Sequence, residues 1–154
     1  RALAALEEAK VQVLRSSSLY RTQPVGYAAQ PWFYNQVVEV RADMEPAELL
    51  ALIKKVESEL GRRPAPKNRP RIIDIDILLA GDRVVTTNQL TIPHPRMAER
   101  NFVLVPLLEI APAVIHPSLQ EPIAELHKRS GDKAQVIRVP KQSGRSSAKE
   151  SKKQ

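Results

Sequence analysis

Residues 71–80 read RIIDIDILLA, directly after RRPAPKNRPR at 62–71. Side chains alternate across a strand, so Ile73, Ile75 and Ile77 share one face and Asp74 and Asp76 the other. The pattern predicts a strand over 72–80, closed by a turn at Gly81-Asp82. The two aspartates then lie roughly 7 Å apart at their α-carbons. Two carboxylates so spaced can share divalent cations, and hard oxygen donors suit Mg²⁺. A solvent-facing strand with outward polar residues has the same pattern, and both readings stay open. Unpaired acids among isoleucines are costly unless a cation compensates them.

The segment before the strand holds three prolines, so it is a loop. It also carries Arg62, Arg63, Lys67, Arg69 and Arg71. Cations beside two carboxylates make a place where Mg²⁺ and a polyphosphate could be held together. The arginine fork donates two parallel bonds to a phosphate. A solvated basic loop is the alternative. No GxxxxGK[ST], GxGxxG, HRD or DFG pattern is present, so phosphate-loop, dinucleotide and protein-kinase folds are unsupported.

Outward from this strand, the clearest helix is PAELLALIKKVESEL. It starts at Pro46, has Leu49, Leu50, Ile53, Val56 and Leu60 at helical spacing, and is ended by Gly61. Residues 33–41 (FYNQVVEVR) and 11–22 read as strands, 23–31 as a loop and 2–10 as a helix. Helices are expected at 101–110 and 122–128, a short strand start at 84–85 and a last strand at 134–139. The first eighty residues thus run α-β-β-α-β. A ferredoxin-like βαββαβ unit of the α+β class is that string with one strand in front. The expectation is therefore a ferredoxin-like sandwich whose first strand is missing from this chain. A smaller, differently wound α+β sheet is the alternative.

The 154 residues suit one domain, expected over 1–140. Of the net charge of +7, +4 sits in residues 141–154, KQSGRSSAKESKKQ. That segment lacks large apolar residues and reads as a disordered basic tail. The body keeps only +3, and aromatics are 4%. A nucleic-acid-binding module is thus disfavoured, since a basic face and an aromatic-rich strand are missing. No apolar run reaches the roughly 18 residues of a membrane span. Cysteine is absent, which excludes disulfides and thiolate chemistry. No signal peptide is legible, and the cytoplasm is the expected compartment.

PRIIDIDILL after a basic loop resembles the signature of the 6-hydroxymethyl-7,8-dihydropterin pyrophosphokinases of folate biosynthesis. SSSLYRTQPVG (16–26), WFYNQVVEV (32–40), VESELGR (56–62) and LTIPHPRMAERNFVLVPLLEIAP (90–112) resemble further segments of that family, in the same order. The resemblance spans about 2–140 and implies a ferredoxin-like α+β fold. It implies transfer of diphosphate from ATP to the pterin hydroxymethyl oxygen, releasing AMP.

By resemblance, Asp74 and Asp76 hold two Mg²⁺ ions, Arg71 pairs with the triphosphate and Arg62 closes over the reaction. Glu57, His94 and Arg100 stand near the nucleotide. Phe33 and Phe102 stack the pterin between them, Asn35 presents its amide to the ring edge, and Thr22, Pro24 and Val25 line the pocket. Taken alone, the two phenylalanines also read as core, Asn35 as a local backbone contact and His94 as a loop residue. Trp32 has no assigned role; His116 and His127 read as structural or exposed. The resemblance further implies a monomer acting on small molecules, without nucleic-acid or membrane partners. A second reading is a weakly catalytic or binding module of a folate-pathway fusion.

Overall fold

The computed structural model describes residues 2–24, 31–61 and 74–140. The first helix, α1 (Ala2–Glu8), ends two residues before the predicted limit. Lys10 adopts a left-handed φ of 72°. Its N–H reaches Glu7 O, and the Val11 N–H reaches Leu6 O, both at 3.0 Å. This closes the helix in a Schellman motif and brings buried Leu6 and Val11 into one core cluster.

The two long predicted strands are each divided. Residues 11–22 form β1 (Gln12–Ser16) and β2 (Tyr20–Thr22); residues 33–41 form β3 (Phe33–Asn35) and β4 (Val38–Arg41). β1 pairs with β4, and β2 with β3, all antiparallel. Between the two ladders, residues 17–19 face only 36–37, so one side carries an extra residue and the ribbon bends. Ser17 secures the bend. Its N–H donates to Val37 O at 2.8 Å, and its hydroxyl accepts from the Val37 N–H at 3.0 Å. β7 (Val136–Arg138) lies along the other edge of β2, completing a three-stranded sheet in the order β3-β2-β7.

Helix α2 (Pro46–Gly61) starts where predicted and runs one residue further, through Gly61. Pro46 stands where a helix has no use for its N–H. The Glu48 carboxylate reaches back to accept from the Glu45 N–H at 2.8 Å, half of a capping box. Its buried Ile53 and Val56 join Leu6 and Val11. A second cluster gathers Val37, Met97, Ile123, Leu126 and the apolar face of α3 (Asn101–Ile110). Here α4 (Ile123–Lys128) packs against α3. A small hairpin, β5 (Val85–Thr86) with β6 (Thr91–Ile92), follows a turn at Gly81, whose φ of 58° favours glycine.

The expected strand over 72–80 is corrected. Its first two residues lie outside the described ones, and residues 74–80 join no ladder among the described residues. A strand requires a partner at hydrogen-bonding distance, and a propensity for β structure does not supply one. The alternation nevertheless holds. Asp74 and Asp76 are exposed, whereas Ile75 and Ile77 pack on the α1–α2 core and Leu78 and Leu79 on the α3 core. The fold is thus a mixture of helices with antiparallel sheets. The basic loop and the tail at 141–154 lie outside the described residues. No described helix is long and apolar enough to cross a membrane.

Candidate active site

Cross-strand pairing puts four side chains of the β2–β3 ladder on one face. Tyr20 stands opposite Asn35, and Thr22 opposite Phe33. The buried Thr22 hydroxyl donates diagonally to Asn35 Oδ1 at 3.1 Å. Asn35 Nδ2 in turn donates to the backbone oxygen of Phe102, in α3, at 2.6 Å. This brings the Phe33 and Phe102 rings together edge to face, with centroids 5.4 Å apart and planes at 85°. The Arg100 guanidinium lies 5.5 Å from the Phe102 ring centre.

Two spaces meet at this trio. A cavity of about 1190 Å³ is lined by Thr22, Pro24, Phe33, Arg100, Phe102 and Asp132, among others. A groove of about 760 Å³ runs between β4 and residues 74–81. Its lining includes Asp74, Asp76, Asn35, Phe33, Arg100 and Phe102. Phe33, Phe102 and Arg100 therefore border both spaces, with the aspartates on one side and Thr22 on the other.

Residues 74–80 are held by side-chain and loop contacts. Glu57, on α2, accepts from the Ile75 N–H at 2.6 Å, between the two aspartates. The His94 N–H donates to Leu78 O at 2.9 Å. His94 Nδ1 accepts from the Arg96 N–H at 3.2 Å, so the neutral ring carries its proton on Nε2. Glu57 and His94 thus stand against the segment that carries the carboxylates. Neither Asp74 nor Asp76 has a side-chain partner among the described residues. Paired, exposed and unpartnered oxygen donors fit Mg²⁺, which keeps waters and takes further oxygens from phosphates. The described residues hold no group of three or more metal-ligating side chains. Arg62, Arg71 and Val25 lie outside the described residues.

A family model described as 7,8-dihydro-6-hydroxymethylpterin-pyrophosphokinase matches residues 1–112. The chain belongs to this family. Its relatives include the 2-amino-4-hydroxy-6-hydroxymethyldihydropteridine pyrophosphokinase of Bacillus subtilis. That protein is 47% identical over 108 residues, 70% of this chain and 65% of the relative. The enzyme of the same name from Aquifex aeolicus is 43% identical over 125 residues, 81% of this chain and 78% of the relative. The folic acid synthesis protein FOL1 of Dictyostelium discoideum is 45% identical over 104 residues, 68% of this chain. The chain spans only 16% of that longer protein. The match to the pyrophosphokinase family contains every site residue singled out above except Asp132.

Asp132 was not legible in the sequence. Arg100 precedes α3 but offers no side-chain cap, since arginine accepts no hydrogen bond. Asp132 supplies one from the loop after α4. Its Oδ2 accepts from the Asn101 N–H at 2.8 Å and its Oδ1 from the Ala134 N–H at 2.9 Å. The second contact is an Asx turn, the only local signal in the sequence. Asp132→Ala should cost about 1 kcal/mol, the value of a lost helix cap, read as a lower midpoint in urea unfolding. His116 is buried, and its Nδ1 accepts from the N–H groups of Ser118 and Leu119, so it is structural as expected. Burial holds its pKa below the usual histidine value. Trp32 lies under the Arg21 guanidinium, 4.6 Å from the ring centre.

Proposed function

We propose that this chain transfers a diphosphoryl group from ATP to the hydroxymethyl oxygen of 6-hydroxymethyl-7,8-dihydropterin, releasing AMP. The observation that carries this is the meeting of two exposed aspartates, without side-chain partners among the described residues, with the Phe33–Phe102–Arg100 trio, in a chain of the pyrophosphokinase family. The pterin oxygen forms a bond to the β-phosphorus of ATP. The bond from that phosphorus to the oxygen bridging the α-phosphate breaks, AMP leaves with the electron pair, and the hydroxyl proton passes to solvent. Such chemistry asks the protein chiefly for alignment and fixed charge.

Asp74 and Asp76 would hold two Mg²⁺ ions. Bound there, the ions would supply charge neutralisation for the phosphate oxygens. Arg100, at the boundary of both spaces, suits a phosphate contact. Arg62 and Arg71 are assigned to the triphosphate, and Glu57 and His94 to the nucleotide side, through the segment they hold. On the pterin side, Asn35 offers one N–H and one lone pair beyond those already used. Thr22, Pro24 and Val25 are assigned to the pocket wall. A ring stacked between Phe33 and Phe102 needs about 7 Å between their faces, at one van der Waals contact on each side. The present 5.4 Å edge-to-face contact must therefore open, with one ring turning as the pterin enters. The whole fold is proposed to be ferredoxin-like, supported by the order of a helix, a bent antiparallel ribbon (β1–β4) and a second helix, and by the alternation in residues 74–77.

The test is magnesium-dependent AMP release from ATP with and without the pterin. Release that needs both supports the proposal. ATP breakdown indifferent to the pterin, or no release even from an N-terminally extended chain, would overturn it. The latter result would favour a non-catalytic module, a reading with which the long FOL1-type relatives are consistent.

A further inference from the structure

Helix α3 carries a fully buried proline, Pro106, in its interior. Proline has no N–H, so the carbonyl four residues earlier loses its helical donor. For Pro106 that carbonyl belongs to Phe102. The ring also crowds that oxygen and pushes it off the helix axis. Phe102 O is the atom that accepts from Asn35 Nδ2 at 2.6 Å. A side chain on β3, 67 residues away in sequence, thus replaces the donor that the proline removed.

The bond also settles which way round the Asn35 amide stands. Nδ2 faces Phe102 O, and Oδ1 faces the buried Thr22 hydroxyl that donates to it at 3.1 Å. A turned amide would place two acceptors together at Phe102; the Thr22 hydroxyl could donate or accept, so the Phe102 carbonyl is the contact that decides. We propose that Pro106 is a positioning residue for substrate recognition. Acting through the Phe102 carbonyl, it fixes the amide direction of Asn35. The site then reads a flat lactam edge, a donor beside an acceptor, in one order only. This deepens the pyrophosphokinase reading and rests on it.

Pro106→Val tests it, because valine restores the N–H at similar volume. The pterin KM should rise about fivefold to tenfold, the value of one lost hydrogen bond. KM for ATP and kcat should stay within about twofold. The melting temperature should hold or rise, since a proline leaves the helix interior. A merely structural proline would instead shift both KM values and lower the melting temperature, and that pattern, or an unchanged pterin KM, overturns the proposal. A second readout needs no turnover. With ¹⁵N-asparagine labelling, the Asn35 side-chain amide, identified by its loss in Asn35→Ala, should exchange slowly in the parent and faster in Pro106→Val. Equal exchange overturns the positioning role. Absence of pterin turnover in the parent would count against the proposed function alone. Pro106→Ala, which also carries the N–H, repeats both measurements should valine overpack the site.

Discussion

Asp76→Ala is expected to abolish pterin-dependent AMP release, by about a thousandfold or more, the scale seen when fixed charge at a transition state is removed. The melting temperature should move by no more than about 2 °C. The second expectation follows from exposure. The Asp76 side chain faces the groove without partners among the described residues, while Ile75 and Ile77 provide the packing on either side of it. Removing it deletes no core contact and relieves repulsion from Asp74. Asp74→Asn, which keeps shape and loses charge, should show the same split between activity and stability. Stopped activity with unchanged melting places these carboxylates in the chemistry. Parent-like turnover in Asp76→Ala would remove them from it.

Glu109→Ala should be the most damaging of these changes for the fold itself. From the last turn of α3, Glu109 Oε1 accepts the Ser18 N–H at 2.9 Å and the Tyr20 hydroxyl at 2.8 Å. Its Oε2 accepts the Ser18 hydroxyl at 2.9 Å and faces the Arg138 guanidinium at 3.5 Å. One carboxylate therefore ties α3 to β2 and β7. Its loss leaves the buried Tyr20 hydroxyl without that acceptor, at a cost of about 2–3 kcal/mol in urea unfolding.

The same cluster predicts two pH limits. Burial alone would raise the Glu109 pKa. Donation from the Ser18 N–H, Tyr20 and the Ser18 hydroxyl, with the Arg138 charge, outweighs it and holds the group below the usual glutamate value. Its stabilisation is present above the unfolded value and is lost as pH falls through the lower folded one. Tyr20 is pushed up from 10.0 to about 12 by burial and then by Glu109. Its contribution is complete below pH 10.0 and fades towards about 12. Glu109→Ala should flatten the acid limb and reduce the alkaline one, where burial of Tyr20 remains, in a stability profile measured by urea unfolding across pH.

What the sequence revealed was local. Helix α3 has the expected limits 101–110, and Leu49, Ile53 and Val56 marked α2, because helical spacing needs no distant partner. The common face of Asp74 and Asp76 was legible for the same reason. The division of residues 11–22 and 33–41 was not, since the bend depends on Ser17 meeting Val37 across the ribbon. Nor was the lack of a ladder at 74–80 among the described residues. The grouping of Thr22, Phe33, Asn35 and Phe102 followed from motif resemblance. Its fixings were hidden, because Asp132 acts across 31 residues and Asn35 across 67. Pro106 was not singled out in the sequence; its use appears only with its neighbour Asn35.

The two tethers on residues 74–80 also act on parity. A strand in a sheet keeps odd and even side chains on their proper faces because every rung of the ladder counts residues. Here Glu57 grips the Ile75 N–H, and the His94 N–H grips Leu78 O, on a segment without rungs among the described residues. A slip by one residue would break both grips and exchange Asp for Ile along the groove. Two fastenings three residues apart thus keep the count that decides whether acids or isoleucines face the groove.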